Sequence, residues 1–299
     1  MKLVITIIGM LLLIGCNAQN VKDTSRPNKN KVEAYSPTIF PQDTTKLWVA
    51  DGNIENEIVA IFCQGGPKDV LSFAEKGKTS WRYLPNYDDY YRIHLHQANT
   101  YNPDIFRFKG EFTMKMAKKE VDNTSEMLYR AIKYYKDKGK TVWVFGHSYG
   151  SFIIPHYLAT RPSVADKYVL ISGRIDDPKH VVEAHANGFN GTYKEGIVFS
   201  SEENRNFSDY DEKDIRYYKR KQLLKAAVGR ILYSKALKEL DLLNSIYIYN
   251  PKDERVGGLN QYELDFLRVK GFQIYKTQHE HGSTIYGLVD ALKEGKVKL

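Results

Sequence analysis

Cysteine is nearly absent from this chain: 299 residues hold two, Cys16 and Cys63. Two thiols allow at most one bridge, which excludes the disulfide-stapled class of small secreted domains. Apolar runs long enough to cross a bilayer are missing as well. The run at residues 3–14 (LVITIIGMLLLI) stops well short of the roughly 20 residues a spanning helix requires. Charge of one sign is not concentrated anywhere. Lys and Arg outnumber Asp and Glu 44 to 36, for a net charge of +8, but a nucleic-acid surface needs such an excess gathered into a patch. Residues 114–140 carry eight basic against four acidic side chains, and the YYKRK run at 217–221 follows Asp209, Asp211, Glu212 and Asp214. Solvated helix faces account for this pattern, so no nucleic-acid partner is expected. No dense group of His, Cys and carboxylates has ligand spacing, and neither a metal nor an organic cofactor is implied.

What is present begins with the amino terminus. Lys2 supplies a positive start, and residues 3–14 form the apolar core of an export leader. The run ends in Leu13-Ile14-Gly15-Cys16, which resembles the bacterial lipobox. That resemblance implies removal of residues 1–15, a lipid on Cys16, and a protein tethered to a membrane of the bacterial cell envelope. Residues 16–45 are polar and lack periodicity, as a spacer would. Cys63, in an apolar strand, reads as a small buried hydrophobe.

Past the spacer, strand-length apolar runs alternate with helical patterns. Strands are expected at 58–62, 91–96, 141–145, 168–171, 246–249 and 272–276. Helices are expected over 114–138, 149–160, 259–270 and 283–294, the first stopped by Gly139. This alternation predicts an α/β protein with a mostly parallel sheet covered on both faces. Residues 174–244 break it, since they hold no good buried strand and are glycine-punctuated, then helical and charged. They are expected to form an inserted, mainly helical cap on a core made of residues 46–173 and 245–299.

The strand at 141–145 runs into Gly146-His147-Ser148-Tyr149-Gly150 and then into a helical pattern. A nucleophilic serine needs its oxygen exposed at the carboxyl end of a sheet. A sharp strand-to-helix turn provides that, and its crowding demands small residues two before and two after the serine. With this elbow in place, the chain resembles the α/β-hydrolases over about 46–173 and 245–299, and the Leu158–Pro162 continuation is also similar. The resemblance implies the α/β-hydrolase fold and a serine nucleophile, Ser148, followed in chain order by an acid and a histidine.

The resemblance places the acid after the strand at 246–249, where Asp253 stands with a valine three residues later. Glu254, and Asp176 or Asp177 after the preceding strand, are the alternatives. The histidine should follow the last strand, and His281, before a glycine and a helix start, is favoured over His279. Of the other histidines, His94 and His96 read as packing or surface residues, His156 as a helix residue, and His147 as a candidate for lining the pocket. The oxyanion donors implied are the backbone N–H of Tyr149 and that of Gly66 in Gln64-Gly65-Gly66-Pro67. Two departures stand out: Gln64 replaces the relatives' histidine, and residues 96–103 (HQANTYNP) replace an Asp-x-x-Gly-x-Gly pattern.

The leading expectation is therefore an exported, lipid-anchored serine hydrolase acting on an ester or related acyl bond of a small-molecule or peptide substrate. The Gly-Gly-Pro tripeptide is similar to proline-specific aminopeptidases, which makes a peptidase the second enzyme reading. A non-catalytic surface lipoprotein that uses the same fold to bind a ligand is the reading from another class.

Overall fold

The computed structural model describes residues 34–72, 80–203 and 205–299, all within the compact unit Val32–Leu299. The leader, Cys16 and the first half of the spacer lie outside the described residues. Along the chain run β1 (Trp48–Asp51), β2 (Ile58–Cys63), β3 (Tyr90–Leu95), α1 (Ala98–Tyr101), α2 (Met114–Lys136), β4 (Thr141–His147) and α3 (Tyr149–Thr160). There follow β5 (Lys167–Ile171), α4 (Lys179–Ala186), β6 (Gly191–Lys194), β7 (Val198–Ser201), α5 (Glu212–Gly229) and α6 (Tyr233–Ala236). The chain closes with β8 (Ile246–Tyr249), α7 (Gln261–Val269), β9 (Gln273–Lys276) and α8 (Ile285–Lys293).

Seven strands form one sheet in the order β1-β3-β2-β4-β5-β8-β9, parallel except for β1 against β3. Alternation along the strands splits the core in two. Val59, Ile61 and Cys63 of β2 face a cluster built with Leu128 and Ile132 of α2, Ile153 and Tyr157 of α3, and Leu267 of α7. Ala60 and Phe62 face the opposite cluster, with Trp81 and with Ile285, Leu288 and Val289 of α8. Because both faces are dry, the strands read as continuous apolar runs, as a doubly covered parallel sheet requires. Cys63 is buried, and burial pushes its thiol up to about 12.

Each of the six expected strands is present with ends shifted by a residue or two, as are the four expected helices. β1 is an addition. Four residues ending in Asp51 are too few to register as a period, and their pairing to β3 (Trp48 with Leu95) is a tertiary choice. The segment between β5 and β8 carries α4, α5 and α6, and also an antiparallel hairpin of β6 and β7 that pairs only with itself. α3 continues through Pro155 to Thr160 without a break.

Candidate active site

The carboxyl ends of β4, β8 and β9 converge on Ser148. At the end of β4 the backbone turns so sharply that Ser148 adopts φ 53° and ψ −121°, a costly conformation for a residue with a side chain. The turn is held by Ser148 N–H donating to Ile171 O at 2.9 Å. Ser151 reinforces it, its Oγ lying 2.7 Å from Gly146 O and accepting from Ile171 N–H at 2.8 Å. The two flanking glycines follow from the crowding. A Cβ on Gly146 would sit 2.7 Å from the Gly150 carbonyl, and one on Gly150 would collide with the carbonyl of Cys63 on the neighbouring strand.

His281 follows β9 and stands 2.8 Å from the serine, Nε2 to Oγ. Its Nδ1 lies 2.8 Å from Asp253 Oδ2 and 3.0 Å from Oδ1. Nδ1 therefore carries the proton given to Asp253, and Nε2 is the acceptor facing Ser148. Asp253, in the turn after β8, is 2% exposed and also accepts from the N–H groups of Arg255 (2.8 Å) and Val256 (3.1 Å). Burial alone would raise its carboxyl; the bonds from His281 and from those two backbone groups outweigh it and hold the carboxyl below the usual range. The spacing thus joins Ser148, His281 and Asp253 in one hydrogen-bonded line.

Of the alternatives, Asp177 lines the same cavity as Ser148 without touching His281, and the others are engaged elsewhere. His279 bonds Asp290 at 2.8 Å. Glu254 pairs with Arg255 on the surface, and Asp176 accepts from Ser234 Oγ at 2.5 Å. His96 bonds Thr100, and His156 lies between Asp122 and Tyr233. His94 is buried on β3 beside Asp51.

Tyr149 is the first residue of α3, so its N–H has no partner within the helix. Gly66 lines the same cavity as Ser148 and His281. The loop carrying Gly66 is braced without a histidine. Gln64 closes it internally, giving Nε2–H to Val70 O at 3.0 Å and accepting from Ser72 N–H at 2.6 Å. Gln97, in the segment after β3, donates to Gln64 O at 2.7 Å, and Asn99 donates to Lys68 O. The two sequence departures therefore meet in space as one support.

Sequence reasoning offers His147 only as a candidate for lining the pocket and misses several other contributors. His147 gives its Nε2–H to the carbonyl of His281 at 2.9 Å and holds that histidine's backbone. Burial, then the neighbouring His281, pushes the ring down to about 4, so it is neutral near pH 7. The cavity, about 250 Å³, is walled largely by the segment between β5 and β8 through Asp177, Val181, His185, Tyr193, Lys225 and Val228. No period or motif marks these. Among the described residues no group of His, Cys, Asp and Glu could hold a metal ion, and no helix is long and apolar enough to cross a membrane.

No protein-family model matches the chain, nor does any curated protein. Solved structures do. A lipase-esterase related protein from Clostridium acetobutylicum is 15% identical with a TM-score of 0.50, over 83% of this chain and 98% of that one. An esterase from Pyrococcus furiosus is 13% identical with a TM-score of 0.50, over 89% and 94%. A protein from Mycobacterium tuberculosis is also 13% identical with a TM-score of 0.50, over 84% and 94%. Likeness at such low identity speaks for architecture alone, and that architecture, with its sheet order and its helices on both faces, is the α/β-hydrolase fold.

Proposed function

We propose that the protein is a serine hydrolase of carboxylic esters and related acyl bonds. The observation that carries this reading is the line from Ser148 Oγ through His281 to Asp253, with both steps at 2.8 Å, opening onto a cavity. In the reaction, Ser148 Oγ attacks the acyl carbonyl while His281 Nε2 takes its proton. Asp253 keeps Nδ1 protonated and stabilises the imidazolium that forms. The N–H groups of Tyr149 and Gly66 receive the negative oxygen of the tetrahedral intermediate. His281 then passes the proton to the departing alcohol, and water, deprotonated by the same nitrogen, releases the acid from Ser148. The leader and Cys16 extend the proposal to an exported protein held at the bacterial envelope by lipid.

A fluorophosphonate probe tests the chemistry and the anchor together. The expected result is a single labelled band in membranes, absent in Ser148→Ala and shifted to the soluble fraction in Cys16→Ser. Equal labelling of Ser148→Ala would sink the catalytic reading, and unchanged membrane recovery of Cys16→Ser would sink the anchor.

A further inference from the structure

The wall that the segment between β5 and β8 presents to Ser148 contains an ammonium that forms no direct ion pair among the described residues. Lys225 of α5 lines the cavity, and its ammonium donates to Asn190 Oδ1 at 2.8 Å, a neutral acceptor. Asp177 and Glu202 attract it, but neither forms an ion pair with it among the described residues. Glu202 is engaged by Arg205 at 2.8 Å and by the Tyr218 hydroxyl at 2.9 Å. Asp177 packs over the bare Cα of Gly229, and burial pushes its carboxyl up to about 7 against the pull of Arg174 and Lys225. Lys221 and Arg255 repel the ammonium further. His185, on the same wall, is pushed down to about 4 by burial and adds no charge at pH 7. Burial first, then Lys221, lowers Lys225 to about 8, which leaves the ammonium the main form at pH 7.

Lys225 is half-buried, and an ammonium that faces a cavity beside a neutral amide is best completed there by an anion. We propose that Lys225, oriented by Asn190, is the specificity determinant of this cavity and selects acyl substrates that carry a carboxylate on the part bound beneath the segment between β5 and β8. The inference rests on the serine-hydrolase reading for its chemistry, but not for its binding. The cavity lies below the roughly 300–1,000 Å³ of sites for drug-sized ligands, so the acyl part is short. The chain's net charge of +8 draws anions toward it. For a short dicarboxylic monoester, water adds across the ester C–O bond and the diacid and alcohol leave.

Monoethyl succinate and ethyl butyrate, similar in length and different in charge, provide the test through proton release at constant pH 7. Wild-type kcat/KM is expected to favour the succinyl ester, and that ratio should fall at least tenfold in Lys225→Met and recover in Lys225→Arg. A wild-type preference for ethyl butyrate overturns the proposal without any variant, as does an unchanged ratio in Lys225→Met. Calorimetry of succinate with Ser148→Ala reads the site without turnover. Binding there that disappears on adding Lys225→Met, while the wild type cleaves neither ester, would remove the hydrolase reading and keep the anion site. Cleavage of both esters with no charge preference would do the reverse.

Discussion

Asp253 shows how one carboxylate can set both the proton inventory and the acid limit of a site. It accepts from His281 on both oxygens and from the backbone of Arg255 and Val256. In Asp253→Asn the amide can no longer hold Nδ1 protonated as a carboxylate does, so the ring turns a proton rather than a lone pair toward Ser148. Kcat on a simple ester is expected to fall about 10⁴-fold with little change in KM. The same group links to stability with a definite sign. Its carboxyl is held below its ordinary value in the fold, so its contribution is present above the unfolded value of about 3.9 and is lost as pH falls through the folded one. Thermal midpoints from pH 7 down to pH 3 should decline less steeply for Asp253→Asn than for the wild type, and parallel curves would show that Asp253 is not a source of the acid sensitivity.

The loop that carries Gly66 has to stay put while an oxyanion forms against it, and its rigidity comes from amide side chains. Gln97 is 1% exposed, donates to Gln64 O and lies 3.3 Å from the Asn99 amide. Gln97→Ala strands that carbonyl and amide, at a cost of about 1–3 kcal/mol, and loosens the loop. Kcat is expected to drop roughly ten- to a hundredfold, a part of what losing an oxyanion donor entirely would cost, with the denaturation midpoint falling alongside; an unchanged kcat would mean that the loop holds itself through Gln64. Residues 141–150 could be read because packing on both faces, a tight turn and two mandatory glycines each leave a local mark. Asp253 and His281 were readable through their order after successive strands. The Gln64–Gln97 brace left no such mark, because its partners are 33 residues apart and meet only once β2 and β3 are paired. The β6–β7 hairpin was equally hidden: Gly191 and the exposed Val198 give it no apolar alternation.

The segment between β5 and β8 is joined to the rest of the chain where a mistake would be most expensive, through a buried ion pair. Glu263 at the start of α7 is fully buried. Its Oε2 meets Arg174 Nη2 at 2.5 Å, and its Oε1 accepts from the N–H groups of Ile175 and Asp176 at 3.1 and 3.2 Å. Asp176 in turn accepts from the backbone and hydroxyl of Ser234 on α6, so one carboxylate anchors the entry to the segment and, through Asp176, its far helix. Such a pair adds little over a well-packed apolar replacement, because both charges are desolvated, but breaking it leaves a guanidinium buried without a partner. Glu263→Ala is therefore expected to lose about 3–5 kcal/mol, which at roughly 2–4 °C per kcal/mol for a chain of this size lowers the thermal midpoint by about 10 °C. The double variant Arg174→Met with Glu263→Leu removes the stranded charge and should recover part of that loss. Recovery stays incomplete because the N–H groups of Ile175 and Asp176 still lack their acceptor. If Glu263→Ala melted within a degree or two of the wild type, the segment would have to be held by its other links, the apolar contacts with α2 and α3 and the bonds from Arg220 to the Ile105 and Gly110 carbonyls among them.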